Sequence, residues 1–301
     1  MNISPIIIFT YNRLDHLDTL IRSLKKNVLF AESKVLVYSD GPKNEIDEDK
    51  IKKIRIYLKK NLISNNSEII ERTINLGLSK NVIGGITQAF KTYDQLIILE
   101  DDLEVSPFFL NYMNDALNLY ASSENVASIS GYMYPIDAKN FSNDYFFLKL
   151  VESWGWGTWK RAWNNFETDS VKLKNEIDER KLVNEFNFSS GISYYKMLND
   201  NIDGANDSWA VRWYASTFLK NMNTLFPSKS FVKNIGIDNS GENCNYTTVY
   251  DSHINLEYKP LKKIDSLELA ADRHVLKSFF QKVKYKRYID TIINKLKSLV
   301  K

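Results

Sequence analysis

Hydrophobic and polar positions follow two alternating patterns along the first 130 residues of the chain. Short apolar runs rich in β-branched residues are typical of strands that are buried on both faces. These runs are residues 6–9, 35–38, 69–70, 96–99 and 126–132. Between them, apolar residues recur at the spacing of one helix face. The predicted helices cover residues 14–28, 47–60, 82–93 and 107–120.

The alternation of strands and helices predicts an α/β fold, with a mostly parallel sheet and helices on both faces. In such sheets, ligands bind at the carboxyl ends of the strands. The second half of the chain is less regular and rich in Trp, Asn and Tyr, with a strand predicted at 146–148 and a helix at 209–219. No repeat or linker divides the sequence, so we expect one continuous domain.

The composition is that of an ordinary soluble protein, with 44% apolar and 26% charged residues among 301. Cys244 is the single cysteine, which excludes an intrachain disulfide and a Cys-rich zinc site. The sequence has neither the long apolar run of a transmembrane helix nor the basic leading region of a signal peptide. We therefore expect a cytoplasmic protein.

The formal net charge of +3 is unevenly distributed. Residues 275–301 carry eight Lys or Arg and one acidic residue, so this basic tail has +7 and the rest of the chain has 3 − 7 = −4. Apolar residues at helical spacing predict an amphipathic helix here. It either packs on the body or contacts an anionic membrane surface as a peripheral protein. Nucleic-acid binding is not expected, because the body is acidic and carries no known motif.

Three carboxylates, the acidic triplet Glu100, Asp101 and Asp102, directly follow the predicted strand at 96–99. Adjacent carboxylates at the end of a buried strand repel one another unless a cation or hydrogen-bond donors compensate them. Mn²⁺ or Mg²⁺ prefers such oxygens and could neutralise a diphosphate leaving group. The alternative is the acidic first turn of a helix. The position after a strand favours the metal site.

The apolar run, the acidic triplet and residues 103–109 together resemble the metal motif of the N-acetylglucosaminyltransferase I family and related bacterial polysaccharide glycosyltransferases. This resemblance implies a GT-A, Rossmann-like fold and an inverting transferase that uses a nucleoside diphosphate sugar. It also implies that Asp102 binds the metal, while Glu100 and Asp101 contact the donor.

Three more segments resemble donor-binding parts of these enzymes, namely residues 9–13, 39–41 and 72–81. The resemblance is most specific over residues 3–131 and continues more weakly through the Trp-rich stretch 153–159 to about residue 241. Each implied residue also has a plainer interpretation as a turn, loop or surface residue. Their joint occurrence at successive strand ends favours donor binding. The implied donor-binding residues are Thr10, Tyr11, Arg13, Asp40, Arg72, Asn75 and Lys80.

Inverting transfer needs a carboxylate that takes the proton of the acceptor hydroxyl. Asp203 and Asp207 are the candidates in the second half of the chain. In the resembling family, an Asp just before a Trp-containing helix has this role, which favours Asp207. The alternative is that Asp207 only caps the helix predicted at 209–219.

The six tryptophans lie in two clusters, at 154–163 and at 209–213. Core packing is the simplest interpretation, with Trp159 and Trp163 spaced as on one helix face. The functional alternative is that Trp154, Trp156 and Trp209 stack on an acceptor sugar, with Glu152 and Ser153 bonding its hydroxyls. Residues 236–244 are polar and glycine-containing and are predicted to close over the donor; no His ligand is assigned there.

The residues and the resemblance together predict a metal-dependent glycosyltransferase, for which the resemblance implies inversion and a UDP-sugar donor. We expect a saccharide or lipid-linked saccharide acceptor in bacterial surface polysaccharide synthesis. We expect residues 1–131 to form the nucleotide-sugar half, 132–260 the acceptor half, and 261–301 a helical tail. One alternative is a sugar nucleotidyltransferase, although residues 10–13 lack its Gly-rich basic loop. The other alternative is a non-catalytic carbohydrate-binding protein.

Overall fold

A computed structural model describes residues 2–62, 66–189, 192–238 and 248–299, with side chains as far as residue 285 in the last helix. The strands within these ranges are β1 (Ile6–Thr10), β2 (Val35–Ser39), β3 (Ser67–Glu71), β4 (Gln95–Glu100), β5 (Leu103–Val105), β6 (Val126–Ser130), β7 (Tyr145–Leu148), β8 (Trp156–Trp159), β9 (Asn223–Pro227) and β10 (Val232–Asn234). The α-helices are α1 (Leu14–Leu24), α2 (Glu45–Asn61), α3 (Leu78–Ala89), α4 (Phe109–Leu119), α5 (Lys160–Trp163), α6 (Ser170–Glu179), α7 (Val183–Phe186), α8 (Tyr194–Ile202), α9 (Trp209–Leu219) and α10 (Ala270–Leu299).

Eight strands form one sheet in the order β3-β2-β1-β4-β8-β6-β9-β7. The first four strands of this order are mutually parallel, as are β6 and β9. β8 runs antiparallel between β4 and β6, and β7 runs antiparallel to β9 at the edge. The predicted α/β fold with a mostly parallel sheet is therefore confirmed.

Alternate side chains of the central strands enter two cores, one on each face of the sheet. In β1, Ile6 and Ile8 pack with α1, α2 and α4, whereas Ile7 and Phe9 pack with α3 and α9. All four are almost fully buried. Both faces are covered, so these strands are apolar throughout rather than alternating with polar residues.

Strand β8 is the main element that the sequence analysis missed. The prediction that Trp159 and Trp163 share one helix face is wrong, because Trp159 ends β8 and Trp163 lies in α5. Hydrogen bonding to β4 and β6 holds residues 156–159 extended. A spacing of four residues has no such tertiary information.

A short two-stranded sheet joins β5 to β10, which brings residues from late in the chain next to the end of β4. The predicted C-terminal helix is present as α10, and its Leu276, Phe280 and Val283 are buried against the body. Its side chains from residue 286 onward lie outside the described part. Among the described helices, none combines the length and the apolar character that crossing a bilayer requires.

Candidate functional site

The carboxyl ends of β1, β2 and β4 meet the start of α3 around a cavity of about 260 Å³, here called the strand-end cavity. Parallel strands bring these ends to one edge of the sheet, which is where α/β folds bind ligands. The cavity is lined by Phe9, Thr10, Tyr11, Asn12, Arg13, Asp40, Lys43, Asn75, Gly77, Leu78, Asn81, Glu100, Asp101, Asp102, Trp154, Asn234 and Gly236.

Asp101 ties the end of β4 to the segment that follows β1. Its carboxylate accepts hydrogen bonds from the Thr10 hydroxyl at 2.8 Å and from the Tyr11 backbone N–H at 3.1 Å. It also pairs with Arg13. The side chain is almost fully buried. These partners offset the cost of burying its charge and fix the geometry of the acidic triplet.

Arg13 bridges two carboxylates of the triplet through one guanidinium nitrogen, 2.8 Å from Asp101 and 2.9 Å from Asp102. Burial by itself lowers the pKa of Arg13, but the two carboxylates outweigh that effect and the pKa is raised. Arg13 is therefore a fixed positive charge at the cavity wall.

The ionised forms of Glu100 and Asp102 are poorly compensated by their surroundings. Burial, followed by repulsion from Asp102 and Asp101, raises the pKa of Glu100 to about 8. Burial and the Asp101 charge also raise the pKa of Asp102. Among the described residues, none donates a hydrogen bond to the Glu100 carboxylate. A cation at this wall would relieve both carboxylates.

Asp40 holds the loop before α3 against the end of β2. Its carboxylate accepts backbone N–H bonds from Gly41, Leu76 and Gly77, at 2.9, 2.9 and 3.0 Å. Asn75 donates to the Gly41 carbonyl at 2.8 Å, so the two loops are tied twice. Asp40 lines the cavity, but its carboxylate oxygens already accept hydrogen bonds from backbone N–H groups. This is the role of a turn residue, which was the alternative interpretation of Asp40.

The segment after β10 lies directly over Asp102. The Ile235 N–H donates to the Asp102 carbonyl at 2.8 Å, and a Cβ on Gly236 would collide with the Asp102 carboxylate. His16 lies 3.2 Å from the Asp238 carboxylate, from Nε2 to Oδ2. This contact fastens the segment to α1. The predicted closing loop begins here, but residues 239–244 lie outside the described ranges.

Asn81 and Asn234 line the cavity without having been predicted as site residues. Asn81 lies inside the segment 72–81 that carries the resemblance, so its position on the first turns of α3 was a usable signal. Asn234 comes from β10, and no sequence pattern links it to the acidic triplet.

Arg72 and Lys80 are predicted donor residues whose side chains lie outside the cavity lining. The Arg72 guanidinium lies over the Tyr38 ring, 5.3 Å from its centroid, and donates to Asn81 at 3.4 Å. Arg72 can therefore act on the cavity only through Asn81. Lys80 is exposed on α3.

Asp207 is exposed, with 66% of its side chain accessible, and pairs with Arg212 at 3.0 Å. Arg212 also donates to Ser79 on the first turn of α3, close to the strand-end cavity. Ser208, not Asp207, caps α9 through its hydroxyl. The capping alternative for Asp207 is therefore wrong, while its role as base stays a prediction.

Trp156 and Trp209 stack on each other in the core, with ring centroids 5.4 Å apart, and are 1% and 3% exposed. Neither leaves a ring face for a sugar, so the predicted acceptor contact is replaced by core packing, the alternative that the sequence allowed. Trp154 is partly exposed and lines the cavity beside Asp102. It is the tryptophan that the structure brings to the site.

Several solved structures of other proteins are distantly similar to the chain. A mannosyltransferase from Pyrobaculum calidifontis in complex with GDP-Man and Mn²⁺ is 11% identical, with a TM-score of 0.37 over 52% of this chain and 44% of that chain. A cytidylyltransferase from Leptospira borgpetersenii is 15% identical, with a TM-score of 0.34 over 58% of this chain and 65% of that one. Glucosyl-3-phosphoglycerate synthase from Mycobacterium tuberculosis, with Mn²⁺ and UDP, is 7% identical, with a TM-score of 0.35 over 59% and 66%.

The matched part spans less than two thirds of each of these chains. No curated protein matches the sequence. A family model gives the decisive match, since "Glycosyl transferase family 2" matches residues 6–177, more than half of the chain, including β1 to β4 and the acidic triplet. The chain is therefore a glycosyltransferase of GT-A, Rossmann-like fold and belongs to glycosyl transferase family 2.

Proposed function

We propose that this glycosyltransferase moves a sugar, with inversion, from a nucleoside diphosphate donor to a saccharide acceptor, in bacterial surface polysaccharide synthesis. The observation that carries the proposal is the acidic triplet at the end of β4, facing a cavity that β1, β2 and α3 enclose. This is the edge at which α/β sheets bind nucleotides. UDP is the nucleoside diphosphate that the resemblance to the N-acetylglucosaminyltransferase I family favours.

The strand-end cavity suits the donor in both charge and shape. The positive charge of Arg13 and the start of α3 offer favourable positions for phosphate oxygens. Asn75 and Asn81 add amide groups to the wall, and the aromatic ring of Tyr11, with the Lys43 amino group 5.6 Å from its centroid, also lines the cavity. A nucleotide sugar needs all three features, whereas a plain saccharide needs no phosphate site.

Asp102 is the proposed ligand of a divalent cation, Mn²⁺ or Mg²⁺. The residues fit this role, because Asp102 and Glu100 face the cavity with raised pKa values and incompletely offset charge. Within the described part of the chain, no three His, Cys, Asp or Glu side chains are arranged to hold a metal. The donor diphosphate and water would therefore supply the other oxygens. A bound cation would neutralise the leaving diphosphate.

Asp207 is the proposed general base, ahead of Asp203. The acceptor oxygen forms a bond to the anomeric carbon as the bond from that carbon to the phosphate oxygen breaks. The acceptor proton passes to the base, and the nucleoside diphosphate leaves. Exposure of the Asp207 carboxylate leaves it accessible to an acceptor, and its pairing with Arg212 holds it near α3.

Contact of the basic tail with an anionic membrane remains part of the proposal, because it would suit a lipid-linked acceptor. The charge of +7 over residues 275–301 supports it. The burial of Leu276 and Phe280 favours packing of the first turns of α10 on the body, so a membrane contact would involve the later turns.

Nucleotide-sugar hydrolysis with and without Mn²⁺ tests the proposed function. UDP-, GDP- and CDP-sugars would be incubated with the wild type, with Asp102→Asn and with the matched control Asp94→Asn, at the opposite end of β4. We expect Mn²⁺-dependent nucleotide release from one donor class, lost in Asp102→Asn and kept in the control. Equal release by all three proteins would remove Asp102 from the role. Pyrophosphate release from a nucleoside triphosphate and a sugar phosphate would instead indicate a nucleotidyltransferase.

A further inference from the structure

A second cavity, of about 530 Å³, also has Trp154 in its lining. Trp154 lines both cavities, so they share a wall. This volume falls within the range of ligand pockets, about 300–1,000 Å³. We call it the Trp154 cavity. Its wall includes Tyr134, Glu152, Trp154, Tyr194, Met197 and Phe280.

The walls of the Trp154 cavity are mostly aromatic and apolar. Tyr194 on α8 and Phe280 on α10 face it together with Trp154. Phe280 and Tyr134 pack edge to face with ring centroids 4.9 Å apart, so α10 is held firmly as one wall. The helix lies beyond residues 6–177, which the family model matches. This wall is therefore a feature of the chain outside the matched family region.

Glu152 places one carboxyl group in this apolar surrounding. Its Oε2 accepts from the Tyr134 hydroxyl at 2.6 Å, and its Oε1 accepts from the Ser153 backbone N–H at 3.2 Å. Burial raises the pKa of Glu152 to about 7, against the effect of these two hydrogen bonds. Each carboxylate oxygen can accept a second hydrogen bond, so both retain capacity for a ligand.

We propose that the Trp154 cavity is the acceptor site, that it binds a neutral saccharide against Trp154 and the wall formed by α10, and that Glu152 selects the acceptor by accepting hydrogen bonds from its hydroxyls. The inference rests on the proposed glycosyl transfer and deepens it by naming the acceptor class and its subsite. Asp207 keeps the role of base, since it adjoins Ser208, which also lines this cavity.

A saccharide fits this chemistry better than the other ligand classes. Sugar rings present apolar C–H faces to aromatic rings and hydroxyl groups to a carboxylate. An alkyl chain would leave the Glu152 carboxyl buried without gain. A second phosphate group would meet Lys284, which also lines the cavity, but it would lie next to a carboxyl that repels it as it ionises. The shared wall at Trp154 also brings an acceptor hydroxyl next to the cavity assigned to the donor sugar.

Glu152 acts here as a specificity residue, so the test must measure the binding of the acceptor separately from the rate of sugar transfer. Saturation-transfer NMR with a panel of p-nitrophenyl mono- and disaccharides would measure binding without any donor. The variants are Glu152→Gln and Met197→Trp. Met197 is partly exposed, so its replacement places a large aromatic ring in the cavity without filling the core. Their matched controls are Glu257→Gln and Leu256→Trp, both at exposed positions outside the lining of the Trp154 cavity.

We expect at least one saccharide to bind the wild type and both controls, and to bind the two cavity variants about 10-fold more weakly. Glu152→Gln replaces a hydrogen-bond acceptor by a donor, and Met197→Trp fills space that the saccharide needs. With an active donor, the KM for the acceptor should rise by a similar factor, while kcat should change much less. Thermal unfolding of each variant checks that it is folded.

The absence of saccharide binding by the wild type would overturn the inference. So would unchanged binding in both cavity variants. Neither result depends on the donor, so a failure of the proposed transfer reaction would be recognised separately, as a lack of nucleotide release from every nucleotide sugar.

Discussion

The two cavities that meet at Trp154 are built in opposite ways. The strand-end cavity has many polar groups, and Asp40, Asp101 and Arg13 among them are tied to the ends of parallel strands by hydrogen bonds or ion pairs. The Trp154 cavity has aromatic walls from α8, α9 and α10 around one raised-pKa carboxyl, Glu152. The first arrangement suits a charged ligand common to many enzymes, whereas the second suits a neutral ligand that differs between enzymes. The proposed functions therefore assign donor binding to the sheet and acceptor choice to the packing around it.

The largest expected effect is on the rate of transfer and comes from removing the proposed general base. Asp207→Asn should lower transfer by about 10²–10⁴-fold, because the acceptor proton loses its base. Donor affinity, measured by thermal stabilisation with the nucleotide sugar, should stay nearly unchanged. Asp203→Asn, at the end of α8, is the matched variant. If Asp203→Asn is the inactive one and Asp207→Asn turns over normally, the base assignment must be exchanged.

The next effect tests the donor side of the comparison. Asp102→Asn should reduce transfer by about 10²–10³-fold, since charge stabilisation of the leaving diphosphate is lost. Its dependence on added Mn²⁺ should flatten. Activity would be titrated against Mn²⁺ for this variant and for Asp94→Asn. A normal Mn²⁺ response in Asp102→Asn would show that the donor cavity does not use this carboxylate.

Two neighbouring tryptophans, Trp156 in the core and Trp154 in the shared wall, sharpen the distinction between core and site. Trp156→Ala should cost about 3–5 kcal/mol of unfolding free energy, as it empties a buried position stacked on Trp209. Trp154→Ala should cost less stability and lower transfer about 10-fold. Denaturant unfolding and steady-state kinetics of both variants measure the two effects. Equal losses of stability would place Trp154 in the core as well.

The smallest effect concerns the pH dependence of stability. The pKa of Glu152 rises from 4.5 to about 7 on folding, so the folded state binds its proton more tightly. The protonated Glu152 therefore contributes at most about 3 kcal/mol to the free energy of unfolding. This contribution is fully present below about pH 4.5 and is lost as the pH rises to about 7. Denaturant unfolding of wild type and Glu152→Gln across this range isolates the contribution. Parallel curves for the two proteins would contradict a buried, raised-pKa Glu152.

The sequence predicted the strand-end cavity well because its geometry follows from local patterns. An apolar run predicts a buried strand, and parallel strands bring the acidic triplet, Asp40 and Thr10 to one edge. The hydrogen-bond partner of each cavity side chain could not be predicted from the sequence. Asp40 was predicted to contact the donor, yet its carboxylate accepts bonds from three backbone amides.

The Trp154 cavity was much harder to predict, because it depends on contacts between residues far apart in the chain. Glu152 was noticed only as a hydrogen-bonding neighbour of the tryptophans. Its contact with Tyr134 and the closure of the cavity by Phe280 have no signal in local spacing. The same cause explains β8, which is short and depends on its two neighbouring strands.

Strand β8 also limits how the two cavities can change relative to each other. Pairing of Trp156 with Ile98 sets the position of Trp154, two residues earlier, against the acidic triplet, two residues later on β4. A slip of one residue would shift this spacing by about 3.3 Å and turn the side chains to the opposite face of the sheet. The distance between the two cavities is thus fixed by hydrogen-bond register. If the proposed acceptor site is correct, new acceptors would be accommodated by substitutions in the helices rather than by movement of the sheet.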